Sequence, residues 1–162
     1  MMSTELVAVS NALGALWPDC DPSVRELFLQ LLEEPAVEIV KRARFVLGKP
    51  YGTNSILLDS GMYGLSFAQL GAGQSTSLHF HNTRREFFCV HHGTLALTSN
   101  GETTALTRHQ CAWSTPGRPH RLANTSDGPL GVLEIFSPAL LNDKVRLQDK
   151  YQRTLGLVTL HQ

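Results

Sequence analysis

The chain has 162 residues, enough for one domain with a core of its own and no need of covalent staples. Fourteen basic and fourteen acidic side chains cancel, so no charge footprint points to nucleic acid or to an anionic membrane surface. The three cysteines, Cys20, Cys89 and Cys111, are odd in number and show no C-x-x-C spacing; this argues for reduced thiols in a cytoplasmic protein rather than a disulfide framework or a cysteine-rich zinc site.

The first third of the chain reads as helical. "ELVAVSNALGALW" is apolar but follows no basic segment and is too short to span a bilayer, so it is assigned to the fold. "DPSVRELFLQLLEEP" opens with Asp21 as an N-cap and Pro22 at the first helical position, and Leu27, Phe28, Leu31 and Leu32 fall on one helical stripe. After Pro35, "AVEIVKRARFVLG" reads as a further helical stretch stopped by Gly48. From residue 50 onward, short glycine-bounded runs take over: "NSILLD", "MYGLSFAQL", "STSLHF", "EFFCVHH", "TLALTS", "ETTALT", "QCAWST", "HRLANT" and "LGVLEIF". Asn100-Gly101 between two of them suits a tight primed hairpin turn. The polar tail "NDKVRLQDKYQR" reads as a turn of helix or an extended cover. The expected fold is all-β, a closed barrel or double-sheet sandwich, over residues 49–162, with a helical segment over residues 1–48 packed on it. Trp17 is expected against the barrel, and Phe67, Phe80, Phe88, Trp113 and Phe136 in its interior or in the space between sheets.

Chemistry concentrates in "HFHNTRRE". Side chains alternate along a strand, so His79 and His81 share a face. A turn at "NTRR" can return Glu86 beside them, and the strand "PHRLAN" can supply His120. Three imidazoles and a carboxylate suit one divalent ion, whether zinc, iron(II), manganese, nickel or cobalt, and leave coordination positions for substrate or water. Arg84, Arg85, Arg118 and Arg121 flank these residues, and a guanidinium suits an anionic substrate. Alternation places Arg121 on the face opposite His120.

The spacing Gly73-x5-His79-x-His81-x4-Glu86-x6-Gly93 resembles the first motif of the cupin superfamily. "TPGRPHRLAN", with Gly117, His120 and Asn124, resembles the second, although Thr115 replaces a usual proline and His109 stands where glycine usually opens the motif. About two thirds of the chain, from "GKPYG" to "KYQR", resembles the cupin domain of type II mannose-6-phosphate isomerases. "KPYGT", "SLHFHNTRREFFCVHHGT", "PHRLAN" and "VRLQDKYQR" carry that likeness. The resemblance implies a double-stranded β-helix (jelly-roll) barrel and one divalent metal ion held by His79, His81, Glu86 and His120. It also implies aldose–ketose isomerisation of a sugar phosphate, with Arg84 and Arg121 as substrate contacts. The chain departs from the family at His79, where a glutamine ligand is usual, at Ser66, which replaces a lysine, and at Phe87-Phe88, which replace a His-Trp pair.

Three functions are compatible with these residues. The first is a metal-dependent isomerase, the second an iron(II)-dependent oxygenase suited to the nitrogen-rich donor set, and the third a cupin that binds a small ligand without turning it over. No side chain is singled out as the general base, although His91, His92 and His109 are candidates by type. Barrels of this kind associate through their sheets, and with the apolar N-terminal segment a homodimer is the expected assembly.

Overall fold

In a computed structural model, the described residues are 2–148 together with a short strand at 158–159. Helices α1 (Thr4–Leu16), α2 (Pro22–Leu32) and α3 (Ala36–Lys41) come first. Strands β1 (Phe45–Lys49), β2 (Gly52–Asp59), β3 (Gly64–Leu70), β4 (Leu78–His81), β5 (Arg85–His92) and β6 (Leu95–Ser99) follow. The remainder are β7 (Glu102–Leu106), β8 (Cys111–Ser114), β9 (His120–Asn124), β10 (Leu130–Ser137), β11 (Lys144–Gln148) and β12 (Val158–Thr159). They form two antiparallel six-stranded sheets, β1-β2-β3-β10-β5-β8 and β12-β11-β4-β9-β6-β7.

The local signals behave as their chemistry requires. Asp21 caps α2 by accepting from the Ser23 amide at 2.8 Å, and Pro22 begins the helix. Asn100 and Gly101 both have positive φ, 51° and 81°, the pair that a primed two-residue hairpin between β6 and β7 demands. His109 also has positive φ, 65°. A glycine would sit there without strain, which explains why this position favours one.

One expectation is corrected. The helix expected through "AVEIVKRARFVLG" ends at Lys41, and Phe45–Lys49 is a strand paired with β2. Aromatic and β-branched Phe45-Val46 favour the pleat, and Gly48 lies within the strand opposite Thr53 rather than capping a helix. Of the two readings of the polar tail, the extended one holds where it is described: Lys144–Gln148 pairs with β4. The remaining "DKYQR" lies outside the described residues.

The central strands of the first sheet, β3, β10 and β5, are buried on both faces. Leu65 and Phe67 of β3, Phe87 and Cys89 of β5, and Leu133 and Ile135 of β10 join one core with Leu6, Leu13, Trp17, Phe28 and Leu32 of the helical segment. The alternate residues Ala68, Leu70, Phe88, Val90 and Val132 face inward and pack with Leu95, Leu97 and Leu122 of the second sheet. Ring contacts seal the outer layer: Trp17 lies 5.3 Å from Trp113, and Phe28 lies 5.8 Å from Phe87, centroid to centroid. Cys89 and Cys111, 22 positions apart in sequence, are directly opposite across β5 and β8 as free thiols with their sulfurs 3.5 Å apart. Among the described residues no helix is long and apolar enough to cross a membrane.

Phe28 is fully buried between α2 and the first sheet. Phe28→Ala should therefore cost about 3–5 kcal/mol in urea unfolding. A loss below about 1 kcal/mol would show that the helices are not part of the cooperative core.

Candidate metal centre

His79 and His81 point inward from β4, and Glu86 does so from the start of β5. His120 projects from β9, directly opposite His79 in the antiparallel pair. All four are essentially inaccessible to solvent. The donor atoms of His79, His81 and His120 lie within 4.8 Å of one another. Oε1 of Glu86 is 3.1 Å from Nε2 of His81 and 3.1 Å from Nε2 of His120.

The backbone fixes which nitrogen of each ring faces the centre. Nδ1 of His79 is 2.8 Å from the Ser77 carbonyl, Nδ1 of His81 is 3.1 Å from the Asp143 carbonyl, and Nδ1 of His120 is 3.0 Å from the Arg118 carbonyl. A carbonyl oxygen only accepts, so each Nδ1 carries the proton and each neutral ring turns a bare Nε2 inward. Burial, reinforced by nearby Lys144, pushes His79 well below its ordinary pKa. Burial likewise takes His81 down to about 4, against the pull of Glu86. Burial alone would raise Glu86, but the Arg84 guanidinium outweighs it and holds the carboxyl well below its usual range.

The result is electrostatically incomplete. Among the described residues, Nε2 of His81, Nε2 of His120 and Oε1 of Glu86 are buried and accept no hydrogen bond. Two lone pairs and a carboxylate oxygen facing one another without a proton between them repel. A divalent cation removes that conflict. Donors bonded at 2.0–2.2 Å and at right angles about one ion lie about 3 Å apart, which matches the 3.1 Å separations. The residues present thus fit a metal ion, and the three buried histidines could hold one.

The surrounding side chains set the charge. Arg84 donates to Oε2 of Glu86 from Nε at 3.2 Å and from Nη2 at 2.8 Å, and its guanidinium lies 4.4 Å from the centroid of the Phe136 ring. The fork occupies Oε2 and leaves Oε1 to face the imidazoles. The turn that places Arg84 is held by Asp143, which accepts from the amides of Asn82, Thr83 and Arg84 and from the Thr83 hydroxyl. A cavity of about 40 Å³ adjoins the centre, lined by His79, Glu86, His120, Arg84, Glu134, Lys144 and Leu141 among others. Burial, followed by the neighbouring Glu86 charge, raises Glu134 to about 7. Burial and the cations Arg84, Lys49 and Arg146 hold Lys144 well below its ordinary range.

Other sequence candidates lie elsewhere. Arg121 does not line the cavity; it sits on β9 opposite Thr98, on the face away from His120. His109 pairs with Glu5 of α1 at 2.8 Å and His91 contacts the Glu34 carbonyl through Nε2, so these two tie the helical segment to the barrel, while His92 meets the Nδ1 of His91. Asn124 braces a strand end by donating to the carbonyls of Leu70, Gly71 and Gly128. Glu134, Lys144 and Asp143 were not singled out in the sequence, since each lies in a stretch without motif spacing.

An antiparallel double-stranded β-helix with three imidazoles and a carboxylate converging inside it defines a barrel with a candidate metal centre. Residues 66–136 match the cupin domain family. It is 37% identical over 108 residues to xanthan biosynthesis protein XanB of Xanthomonas campestris pv. campestris (strain B100), covering 65% of this chain and 23% of that protein. Mannose-1-phosphate guanylyltransferase of Klebsiella pneumoniae is 30% identical over 107 residues, covering 65% of this chain and 23% of its own. The chain thus spans less than a quarter of the length of these curated relatives. Among solved structures, a conserved protein with a double-stranded β-helix domain from Klebsiella pneumoniae superposes with a TM-score of 0.54 at 21% identity, covering 66% of this chain and 90% of that one. That likeness concerns the fold alone.

Asp143→Asn should destabilise the protein by about 2 kcal/mol at pH 7, because the part-buried amide at 83 and the buried amide at 84 lose a charged acceptor. Burial would raise the Asp143 carboxyl, but the hydrogen bonds from Thr83, Arg84 and Asn82 outweigh it and lower its pKa. Its contribution is therefore fully present above the unfolded value of about 4 and is lost as pH falls below it. Unfolding of the wild type and of the variant, followed from pH 7 to pH 2, should converge at the acid end; a constant gap would refute the assignment.

Proposed function

We propose that this protein is a divalent-metal-dependent aldose–ketose isomerase acting on a sugar phosphate. The observation that carries the reading is the convergence of His79, His81, Glu86 and His120 on one point, with bare nitrogens facing a carboxylate oxygen and Arg84 alongside. The resemblance to the cupin domain of type II mannose-6-phosphate isomerases supports the substrate class. So does the name of one relative, which places mannose 1-phosphate among that protein's substrates.

Those four residues would hold the ion, which when bound supplies a Lewis acid for the carbonyl and hydroxyl oxygens of the sugar. Arg84 serves two ends: its fork keeps Glu86 ionised with Oε1 left facing the imidazoles, and its position in the cavity wall suits it to a substrate anion. Phe136 and Leu141 give the same cavity an apolar wall. A volume of about 40 Å³ holds an ion with a water but no whole sugar.

The nitrogen-rich donor set favours one other reading, an iron(II) oxygenase, because His79 replaces the usual glutamine. Elemental analysis of protein purified without a histidine tag or chelator separates the two. About one zinc, manganese, nickel or cobalt per chain, with conversion of mannose 6-phosphate to fructose 6-phosphate, is the expected result. His81→Ala should lose the ion and the activity together while keeping its fold by circular dichroism. Iron with substrate-dependent oxygen uptake would move the assignment to the oxygenase. Failure to take up any metal on titration would refute both.

A further inference from the structure

Glu134 is a second carboxyl group at the centre that the metal site does not use. It lies mid-strand in β10, between Ser66 of β3 and Phe88 of β5, and is 8% exposed. Its neighbours Leu133 and Ile135 face the helical core, so alternation turns Glu134 inward, beside His79, Glu86 and His120 in the cavity wall. Burying a carboxyl costs free energy that strong hydrogen bonds ordinarily offset. Here the hydrogen bond found among the described residues is a long one, 3.4 Å, from the Ser66 hydroxyl. The Arg84 fork goes to Glu86 instead. Two carboxyl groups in one small cavity thus have opposed surroundings, one locked by a guanidinium and imidazoles and the other left loosely held.

Isomerisation needs such a group. The carbon-bound proton must leave C2 of the aldose and return at C1, and one side chain must carry it. The three metal-facing imidazoles have their Nδ1 protons committed to carbonyls. His91 and His109 are engaged on the helical side, and His92 meets His91. Glu86 faces the imidazoles and Arg84.

We propose that Glu134 is the catalytic residue that transfers the proton between C1 and C2, an assignment resting on the isomerase reading. The Glu134 carboxylate takes the C2 proton, and the C–H electron pair becomes the C1–C2 double bond while the carbonyl pair moves onto O1. The O2 hydroxyl proton passes to O1. The Glu134 carboxylic acid then returns its proton to C1 as the C2–O2 carbonyl forms. Atoms and electrons balance with no added reactant. The groups facing Glu134 in the cavity are Glu86 on β5, Arg84 before it, His120 on β9 and Lys144 on β11.

The test uses the full chain loaded with metal, with fructose 6-phosphate and mannose 6-phosphate in deuterium oxide. Glu134→Gln keeps the shape of the side chain and should retain metal content and fold. Its kcat should fall about 100-fold or more, the contribution typical of a general base, with KM within about twofold of the wild type. Exchange of solvent deuterium into C1 of the ketose should be lost in parallel, and Glu134→Asp should recover part of both with an altered pH profile. An active wild type with a Glu134→Gln variant within tenfold of it overturns the assignment alone. A fully metallated wild type inert toward sugar phosphates overturns the isomerase reading and this assignment with it.

Discussion

The site depends on one constraint, that the central strands of the first sheet are buried on both faces. In β3, β5 and β10 apolar residues alternate between two cores, the helical layer outside and the barrel interior. A slip of a single residue would drive Phe87 into the interior and Glu86 into the helical core, exchanging an apolar cost on one side for an unpaired charge on the other. Register is thereby specified from two directions at once. Glu86 and Glu134 occupy inward positions because Phe87, Leu133 and Ile135 are required outside.

Within that frame, backbone carbonyls do the orienting. Ser77, Arg118 and Asp143 each offer an oxygen to one imidazole, so the tautomers are settled by elements the chain must form in any case. Asp143 links two of these tasks: its carbonyl receives His81, while its carboxylate holds the turn that presents Arg84. The start of β11 is therefore as much a part of the centre as β4, although the two lie about sixty positions apart in sequence.

The sequence discloses whatever depends on local spacing. His79 and His81 share a face by alternation, Asn100-Gly101 announces its hairpin, and Asp21-Pro22 opens a helix. Each involves neighbours within a few positions. Whatever depends on which strands meet is hidden. "LGVLEIF" is recognisable as a strand, but nothing in it says that Glu134 faces imidazoles rather than solvent, because both faces of that strand are apolar around it. Lys144 and Asp143 sat in a tail that looked merely polar. The pairing of Cys89 with Cys111 was equally invisible, since it follows from the register of β5 on β8. "FVLG" misled for a different reason: a short apolar run after a helix carries too few residues for periodicity to distinguish a fourth turn from an edge strand.

The helical layer also determines what the outside of the barrel can do. With the outer face of the first sheet occupied by the chain's own helices, the sheet surface left for another molecule is the outer face of the second. By alternation from the inward Leu95, Leu97 and Leu122, that face presents Ala96, Thr98, Ala105, Ala123 and Arg121. Methyl groups, hydroxyls and one guanidinium over β6, β7 and β9 give way to the apolar Phe80 of β4 and Val145 and Leu147 of β11, which alternation turns to the same face. Association there would bury the apolar end and take its register from the polar one.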